Sequence, residues 1–168
     1  MSRAYIGIGT NIEPRQLRMQ QGMDHLEELG MVIAKSSIYE TPPFGYTDQP
    51  DFLNAVVLLE TSLEATELHK KLKSLELELG RRHRDHWHER EIDFDLLLVD
   101  EEIIATPELT IPHPGIEHRA FVLVPLLELS PELIHPVSKK SIRQSLADLG
   151  EPLPPIRVYS SNQTEQNS

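Results

Sequence analysis

The sequence predicts an α+β fold, a ferredoxin-like βαββαβ sandwich with extra C-terminal elements. Two observations support this class. Two segments with helical spacing of apolar residues end at glycines, Gly30 and Gly80. Apolar runs rich in Val, Ile and Leu lie before, between and after these segments, in the order β-α-β-β-α-β. At 168 residues the chain is long enough for one domain with a substantial core.

The first half of the chain supplies most of this pattern. We expect strands at residues 3–8, 31–39 and 52–61, with a helix at 17–29 after the first. Gly9 and Thr10 are expected to open a turn. Residues 40–50 contain three prolines and a glycine and are expected to form a loop with a restricted backbone.

The second half begins with a helix at 64–79, for which Ser62 is the expected N-cap and Gly80 the stop. A strand at 92–99 follows, and Ile103 and Ile104 are expected to pair with it as a short hairpin. A rigid loop at 110–114 leads to helices at 120–129 and 141–149. We expect residues 1–150 to form the domain and residues 151–168, rich in Pro, Ser, Gln and Asn, to be a disordered tail.

Composition excludes several classes of function. The net charge of −11 argues against nucleic-acid binding, which needs a basic surface. The chain has no cysteine, so it has neither disulfides nor a thiolate nucleophile. No window approaches a membrane span and no signal segment is evident, so we expect a cytoplasmic protein without a membrane partner.

Two acids begin the strand at 92–99. In a strand, Asp93 and Asp95 point to one face about 6.5–7 Å apart, while Ile92, Phe94 and Leu96 point to the other. Paired carboxylates on a stiff strand suit Mg²⁺. Taken alone, such a pair is more often a solvated strand end. The apolar run that follows predicts a buried strand, in which adjacent acids need partners or a metal.

A basic island precedes these acids on an otherwise acidic protein. Its arginines suit a phosphate-bearing substrate, because guanidinium binds phosphate bidentately. They are Arg81, Arg82, Arg84 and Arg90. A phosphoryl-type transferase or hydrolase is therefore predicted, although a Mg²⁺-dependent nucleotide hydrolase and a ligand-sensing module remain alternatives. No Gly-rich phosphate loop is present. A zinc hydrolase is a further alternative, although the cysteines usual in such sites are missing. Its ligands would come from the basic island and would be His83, Asp85, His86 and His88.

Five or more short motifs, in order and with similar spacing, give the chain a resemblance to a known family. They are Tyr-Ile-Gly-Ile-Gly-Thr-Asn at 5–11, Tyr-Glu-Thr-Pro-Pro-Phe-Gly at 39–45, Asp-Phe-Leu-Asn-Ala at 51–55, Glu-Leu-Glu-Leu-Gly-Arg at 76–81, Trp-His-Glu-Arg-Glu-Ile-Asp-Phe-Asp at 87–95, and Ile-Pro-His-Pro at 111–114 leading to Arg-Ala-Phe-Val-Leu at 119–123. From residue 5 to about 149, the chain resembles the 6-hydroxymethyl-7,8-dihydropterin pyrophosphokinases.

The resemblance implies an ATP-dependent diphosphotransferase of folate biosynthesis. Such enzymes move the terminal pyrophosphoryl unit of ATP to the hydroxymethyl group of the pterin and release AMP. Asp93 and Asp95 match the pair that holds two Mg²⁺ ions in the family. Catalytic arginines are implied at Arg81 and Arg90. The implied ATP contacts are Arg81, Arg82, Arg84, Arg90, His113 and Arg119.

The resemblance also implies a pterin site. Phe52 and Phe121 would stack on the two faces of the ring, and Asn54 would read its amide edge. Trp87 would cover the site. The full implied set is Thr41, Pro42, Phe44, Phe52, Asn54, Trp87 and Phe121. Singly, each of these residues has an ordinary structural explanation, so the prediction depends on the ordered set. A monomer is expected from the family.

Overall fold

The computed structural model describes residues 1–43, 48–80 and 92–160. Its described part is a mixed α/β fold with an antiparallel sheet and four α-helices. The strands are β1 (Ser2–Thr10), β2 (Met31–Lys35), β3 (Tyr39–Thr41), β4 (Phe52–Thr61), β5 (Asp93–Val99), β6 (Ile104–Ala105), β7 (Thr110–Ile111) and β8 (Arg157–Val158). The helices are α1 (Arg15–Leu26), α2 (Ala65–Glu78), α3 (Ala120–Leu129) and α4 (Ile142–Asp148).

Six strands form the main sheet, in which β1 lies between β5 and β4. The strand order is β5-β1-β4-β3-β8, and β2 pairs with the other half of β4. All of these pairings are antiparallel. β6 and β7 form a separate two-stranded sheet.

Helices pack on both faces of the sheet because its strands bury apolar residues on both sides. On one face, Ile6 and Phe94 pack with apolar residues of α1 and α2. On the other face, Val56 and Leu97 pack with residues of α3 and α4. The second core cluster covers only part of its face, so the remainder of that face, towards the ends of β1 and β5, can carry polar residues.

The helix predictions hold with small shifts, and residues 120–129 form α3 as predicted. Gly80 lies just beyond α2 with a φ of 93°, a conformation that glycine adopts most readily. The expected cap at Ser62 is wrong. Glu64 occupies the N-cap position without a side-chain cap bond, and the Thr61 hydroxyl instead accepts from the Leu63 amide.

Two strand predictions need correction. The first strand continues through Gly9 and Thr10, because these residues pair with β4. The expected single strand at 31–39 is two strands, separated where the Ser36 hydroxyl accepts the Val56 N–H. The second of them, β3, extends to Thr41, which we had placed in a loop.

The C-terminal half also differs from expectation. Ile104 pairs with Ile111 in the small sheet and not with the strand at 92–99, so the loop expected at 110–114 begins as β7. The tail predicted to be disordered from residue 151 includes a strand, since Arg157 and Val158 pair with β3. Residues 161–168 lie outside the described part of the chain.

Candidate active site

Strand β1 lies between β4 and β5 and places polar side chains of these two neighbours side by side. Gly9 pairs with Asn54 on β4 and with Asp93 on β5, and Gly7 pairs with Asp95. Directly paired residues of antiparallel strands project from the same face. Asn54, Asp93 and Asp95 therefore share one face, opposite Phe94 and its core. We call Gly9, Asn54, Asp93 and Asp95 the polar patch.

The absence of a side chain at Gly9 allows the Asn54 carboxamide to lie close to the β1 backbone. A Cβ at this position would lie 2.9 Å from Oδ1 of Asn54, closer than real Cβ contacts permit. At Gly7 the corresponding Cβ would lie at ordinary contact distance, 3.6 Å from Leu97 and 3.8 Å from Asp95. The carboxamide of Asn54 thus lies over a space that only glycine leaves open.

Asn54 is oriented from the other side by β3. Its Nδ2 donates to Oγ1 of Thr41 at 3.0 Å, so the amide nitrogen points to β3 and the oxygen to Gly9. Thr41 is buried and pairs directly with half-buried Phe52. Thr41, Phe52 and Asn54, three of the residues that the resemblance implies for the pterin site, are therefore brought together.

The strand that carries the acids is an edge strand, and α2 protects its outer edge. Oε1 of Glu76 accepts from the Phe94 N–H at 2.8 Å, and Nζ of Lys73 donates to the Phe94 carbonyl at 2.9 Å. Glu76 is only 2% exposed, and the two side chains lie 3.1 Å apart. They bind both polar groups of the residue between Asp93 and Asp95, which fixes the backbone from which the acids project.

The pKa of Glu76 is raised above its ordinary value. Burial raises the pKa of Glu76, and the nearby Asp93 adds to the increase. Lys73 and the Phe94 N–H oppose that increase. The four groups therefore interact electrostatically as one unit at the start of β5.

His113 lies next to the same strand, since its backbone N–H donates to the Leu97 carbonyl at 2.9 Å. Nδ1 of His113 accepts from the Gly115 N–H at 3.0 Å, so the neutral ring carries its proton on Nε2. Burial, with the positive charges of Arg119 and Lys73, lowers the pKa of His113, while Asp93 opposes this. His113 is thus a neutral N–H donor close to Asp93 and Arg119.

Arg119 and Phe121 begin α3. The Arg119 guanidinium lies 5.9 Å from the centre of the Phe121 ring and packs over Gly115, where a Cβ would be 2.7 Å from its central carbon. Phe121 is half-buried against the second core cluster. A cation and an aromatic ring are therefore presented together on the helix that packs beside Val56 of β4.

Comparison with known proteins identifies the family of this chain. A family model described as 7,8-dihydro-6-hydroxymethylpterin-pyrophosphokinase matches residues 5–131. The chain belongs to this pyrophosphokinase family. A relative from Aquifex aeolicus named 2-amino-4-hydroxy-6-hydroxymethyldihydropteridine pyrophosphokinase is 40% identical over 144 residues, 86% of this chain and 90% of that protein. Folic acid synthesis protein fol1 of Schizosaccharomyces pombe is 38% identical over 160 residues, 94% of this chain and 22% of that protein.

The pyrophosphokinase fold is also found in solved structures. This chain resembles Plasmodium falciparum HPPK-DHPS crystallised with pteroate, with a TM-score of 0.68 and 18% identity over 90% of this chain and 43% of that chain. At this identity the likeness shows the shared fold. In the described ranges 1–43, 48–80 and 92–160, no helix has the length and apolar character needed to cross a membrane.

The predicted site residues of this pyrophosphokinase fall into two groups. Those within the described chain are Thr41, Pro42, Phe52, Asn54, Asp93, Asp95, His113, Arg119 and Phe121. Those outside the described residues are Phe44, Arg81, Arg82, Arg84, Trp87 and Arg90, and the alternative zinc ligands Asp85, His83, His86 and His88 lie there too. The first group includes the whole Asp-x-Asp pair and most of the predicted pterin contacts.

Two supporting features were not assigned roles from the sequence. Gly9 lies in a recognised motif, but its contact with Asn54 depends on the pairing of β1 with β4. In the sequence, Lys73 is one of several lysines on α2 and has no distinguishing feature. Its hydrogen bond to the Phe94 carbonyl depends on how that helix packs against β5. The Lys73–Glu76 spacing of i, i+3 on a helix was the available signal.

Proposed function

We propose that the chain transfers the pyrophosphoryl group of ATP to 6-hydroxymethyl-7,8-dihydropterin and releases AMP and the pterin diphosphate. Membership of the pyrophosphokinase family supports the reaction. The name of the fission-yeast relative supports a place in folate biosynthesis. The observation that carries the proposal is the polar patch, in which two carboxylates and one oriented carboxamide share a sheet face.

The donor set of the patch fits Mg²⁺. Asp93 and Asp95 are half-buried oxygen donors on one face, and the paired residues Gly9 and Gly7 leave that face without side chains of their own. We propose that these carboxylates hold two Mg²⁺ ions with ATP. Bound metal would offset charge on the phosphates and lower the pKa of the attacking hydroxyl. Lys73 and Glu76 keep the two carboxylates in position through the Phe94 backbone.

Pterin recognition is proposed for the β3–β4 side of the patch. The Asn54 oxygen can accept a hydrogen bond from the ring edge, since its amide nitrogen already donates to Thr41. Phe52 and Phe121 are proposed to stack on the two ring faces. Backbone groups at Thr41, Pro42 and Phe44 would read the rest of the amide edge, and Trp87 would cover the site.

Phosphate binding is proposed for the β5 side of the polar patch, near His113 and Arg119. Neutral His113 can donate from Nε2 to a phosphate oxygen, since Nδ1 is occupied by the Gly115 N–H. Arg119 lies close enough to add positive charge. We propose that Arg81, Arg82, Arg84 and Arg90 engage the triphosphate bidentately, with Arg81 and Arg90 supporting the transition state.

The reaction we propose is an in-line displacement at the β-phosphorus. The pterin hydroxymethyl oxygen forms a bond to this phosphorus as the bridging bond to the α-phosphate oxygen breaks, and AMP leaves with that oxygen. The hydroxyl proton is released to solvent. The chain's own contribution is to bring the two substrates together and to exclude water, because hydrolysis of ATP competes with transfer.

The wider setting is also a proposal. The sheet order β5-β1-β4-β2, with α1 and α2 on one face, supports the ferredoxin-like arrangement. We propose that residues 1–150 form most of the pyrophosphokinase domain, with β8 as an added outer strand of its sheet, and that the chain acts as a cytoplasmic monomer. Use of ATP and the absence of cysteine support that location.

A product assay tests the proposed function. The protein is incubated with ATP and Mg²⁺, with and without 6-hydroxymethyl-7,8-dihydropterin, and AMP is resolved from ADP. We expect AMP only when the pterin is present. ADP with phosphate, or AMP formed without the pterin, would instead indicate a nucleotide hydrolase.

A further inference from the structure

Strand β8 and the following Tyr159 lie along the outer side of β3, beside the proposed pterin site. Arg157 pairs with Glu40 and Val158 with Tyr39 of β3, and the Tyr159 N–H donates to the Ile38 carbonyl at 2.8 Å. We call residues 157–159 the C-terminal strap. It converts the three-residue strand β3 from an edge strand into an inner strand between β4 and β8.

A buried carboxylate connects the C-terminal strap to the fold. Glu40, 9% exposed, accepts from Nε of Arg157 at 2.9 Å and from Nη1 of Arg15 at 2.6 Å. The same Arg15 nitrogen donates to the Asp51 carbonyl at 3.0 Å, and the Arg15 guanidinium lies 5.6 Å from the centre of the Tyr159 ring. One cluster thus joins β3, the residue before β4, the first turn of α1 and the C-terminal strap.

The residues next to this cluster are those proposed to bind the pterin. Thr41 follows Glu40, and Phe52 follows Asp51. Thr41 pairs with Phe52 and accepts from Asn54. A shift of β3 would therefore move Thr41 and release Asn54, whereas Asp93 and Asp95 lie on β5 at the opposite edge of the sheet.

We propose that the C-terminal strap is a positioning element for the pterin site. Arg157, through Glu40, keeps β3 against β4 so that Thr41, Phe52 and Asn54 meet the ring in a fixed geometry. The proposal rests on the proposed function, because it assigns the strap to the pterin side of that site. Its specific consequence is that loss of the strap weakens use of the pterin and leaves use of ATP unchanged.

Two truncations provide a matched pair. A chain of residues 1–160 keeps the C-terminal strap, and a chain of residues 1–156 lacks it. We expect KM for the pterin to rise roughly 3- to 10-fold in the shorter chain, the effect of about one lost hydrogen bond, with kcat and KM for ATP little changed. Hydrogen exchange should show faster exchange at Tyr39–Thr41 in the shorter chain and no change at β5.

A substitution in the full chain covers the case in which the shorter chain does not fold. Arg157→Met should raise KM for the pterin in the same direction, Arg157→Lys should restore part of the loss, and Arg143→Met on the exposed side of α4 should have no effect. Equal KM for the pterin in wild type and Arg157→Met, or an equal loss of pterin and ATP use, would overturn the proposal. Absence of pterin-dependent AMP formation in the full chain would overturn the proposed function instead, and the exchange data would still test whether the strap orders β3.

Discussion

At the residue scale, the contact between Gly9 and Asn54 determines the geometry of the proposed pterin site. Oδ1 of Asn54 lies where a Cβ on residue 9 would be, and Nδ2 is bound to Thr41. The carboxamide therefore has little freedom, and in the proposed complex it would meet the ring edge already oriented. Preorganisation of this kind lowers the entropy cost of binding.

Gly9→Ala tests this contact. The added methyl group would displace Asn54, so we expect KM for the pterin to rise about 5- to 10-fold through loss of one oriented hydrogen bond, with a smaller change in KM for ATP. Gly7→Ala is the matched control for KM of the pterin, because its methyl group would make only ordinary contacts, the nearest with Leu97 and Asp95 of β5 and not with Asn54. Similar steady-state constants in the two variants would contradict the role of Gly9.

The two carboxylates are tested separately. Asp93→Ala or Asp95→Ala should lower kcat on the order of 10³-fold or more, because charge compensation at the phosphates is lost. The fold should remain intact, since removing one acid beside another relieves repulsion. Circular dichroism checks the fold and the AMP assay checks turnover. Near-normal turnover with Mg²⁺ in either variant would refute the metal assignment.

The phosphate side of the proposed site is tested at Arg90, whose role the family resemblance implies. Arg90→Ala should slow the chemical step by about 10³-fold, as loss of an arginine that supports phosphoryl transfer does elsewhere, and should barely weaken pterin binding. Single-turnover kinetics and pterin titration measure the two effects. An equal loss in both would place Arg90 on the pterin side or in a structural role.

At the element scale, α2 stabilises the edge strand β5 at the point where the acids project. Glu76 and Lys73 bind the N–H and the carbonyl of Phe94 in place of a neighbouring strand. The arrangement satisfies backbone groups that an uncovered edge would expose to water or to another chain.

Glu76→Ala should destabilise the protein by about 1–3 kcal/mol, because it leaves the buried Phe94 N–H without an acceptor. The concentration of Mg²⁺ needed for half-maximal rate should also rise, since the acids lose their support. Glu78→Ala, at an exposed position on the same helix, is the control. Urea unfolding and a Mg²⁺ titration provide the two readouts. A change in stability without any change in the Mg²⁺ requirement would show that Glu76 is purely structural.

Elements were predictable from sequence where local signals and packing agree. The strand at 52–61 and the helix at 120–129 match prediction because their apolar patterns coincide with their burial. The break between β2 and β3 was not predictable, because it depends on a hydrogen bond between distant segments. The N–H of Val56 on β4 donates to the Ser36 hydroxyl. β8 was missed because Arg157 and Val158 are a short pair in a polar tail and are ordered by β3 and Glu40.

Candidate site residues also divide into those that local motifs indicate and those that depend on contacts between distant segments. Asp93, Asp95 and Asn54 were found from motifs along the chain, and they share a face as their strand positions require. Lys73 and the contact at Gly9 depend on pairing and helix packing between distant segments, which no local pattern encodes.

At the scale of the whole molecule, acid should weaken the attachment of the C-terminal strap. Burial alone would raise the pKa of Glu40, but hydrogen bonds from Arg15 and Arg157 outweigh it and lower the pKa below its usual value. A lowered pKa in the folded state means that the stabilisation is present above the unfolded pKa of about 4.3 and is lost as pH falls through the folded value.

Glu40→Gln should therefore be less stable than wild type by roughly 1.5–3 kcal/mol at neutral pH, because it loses hydrogen bonds between charged groups. The difference should shrink as the pH falls below about 4. Urea unfolding from neutral to acid pH measures it, with Glu27→Gln on the exposed end of α1 as the control for net charge. A difference that stays constant over this range would contradict the proposed ionisation of Glu40.

The main sheet places the two proposed substrate regions on one face, with the acids on β5 and the amide proposed to read the pterin on β4, on either side of the glycines of β1. The central claim is that metal and pterin occupy one face. The most direct test is paramagnetic relaxation of the pterin hydroxymethyl nuclei by Mn²⁺ bound with a non-hydrolysable ATP analogue, since Mn²⁺ accepts the same oxygen ligands as Mg²⁺. We predict strong relaxation in the wild-type protein and its loss in Asp95→Asn. Pterin binding without such relaxation in the wild type would contradict the shared site.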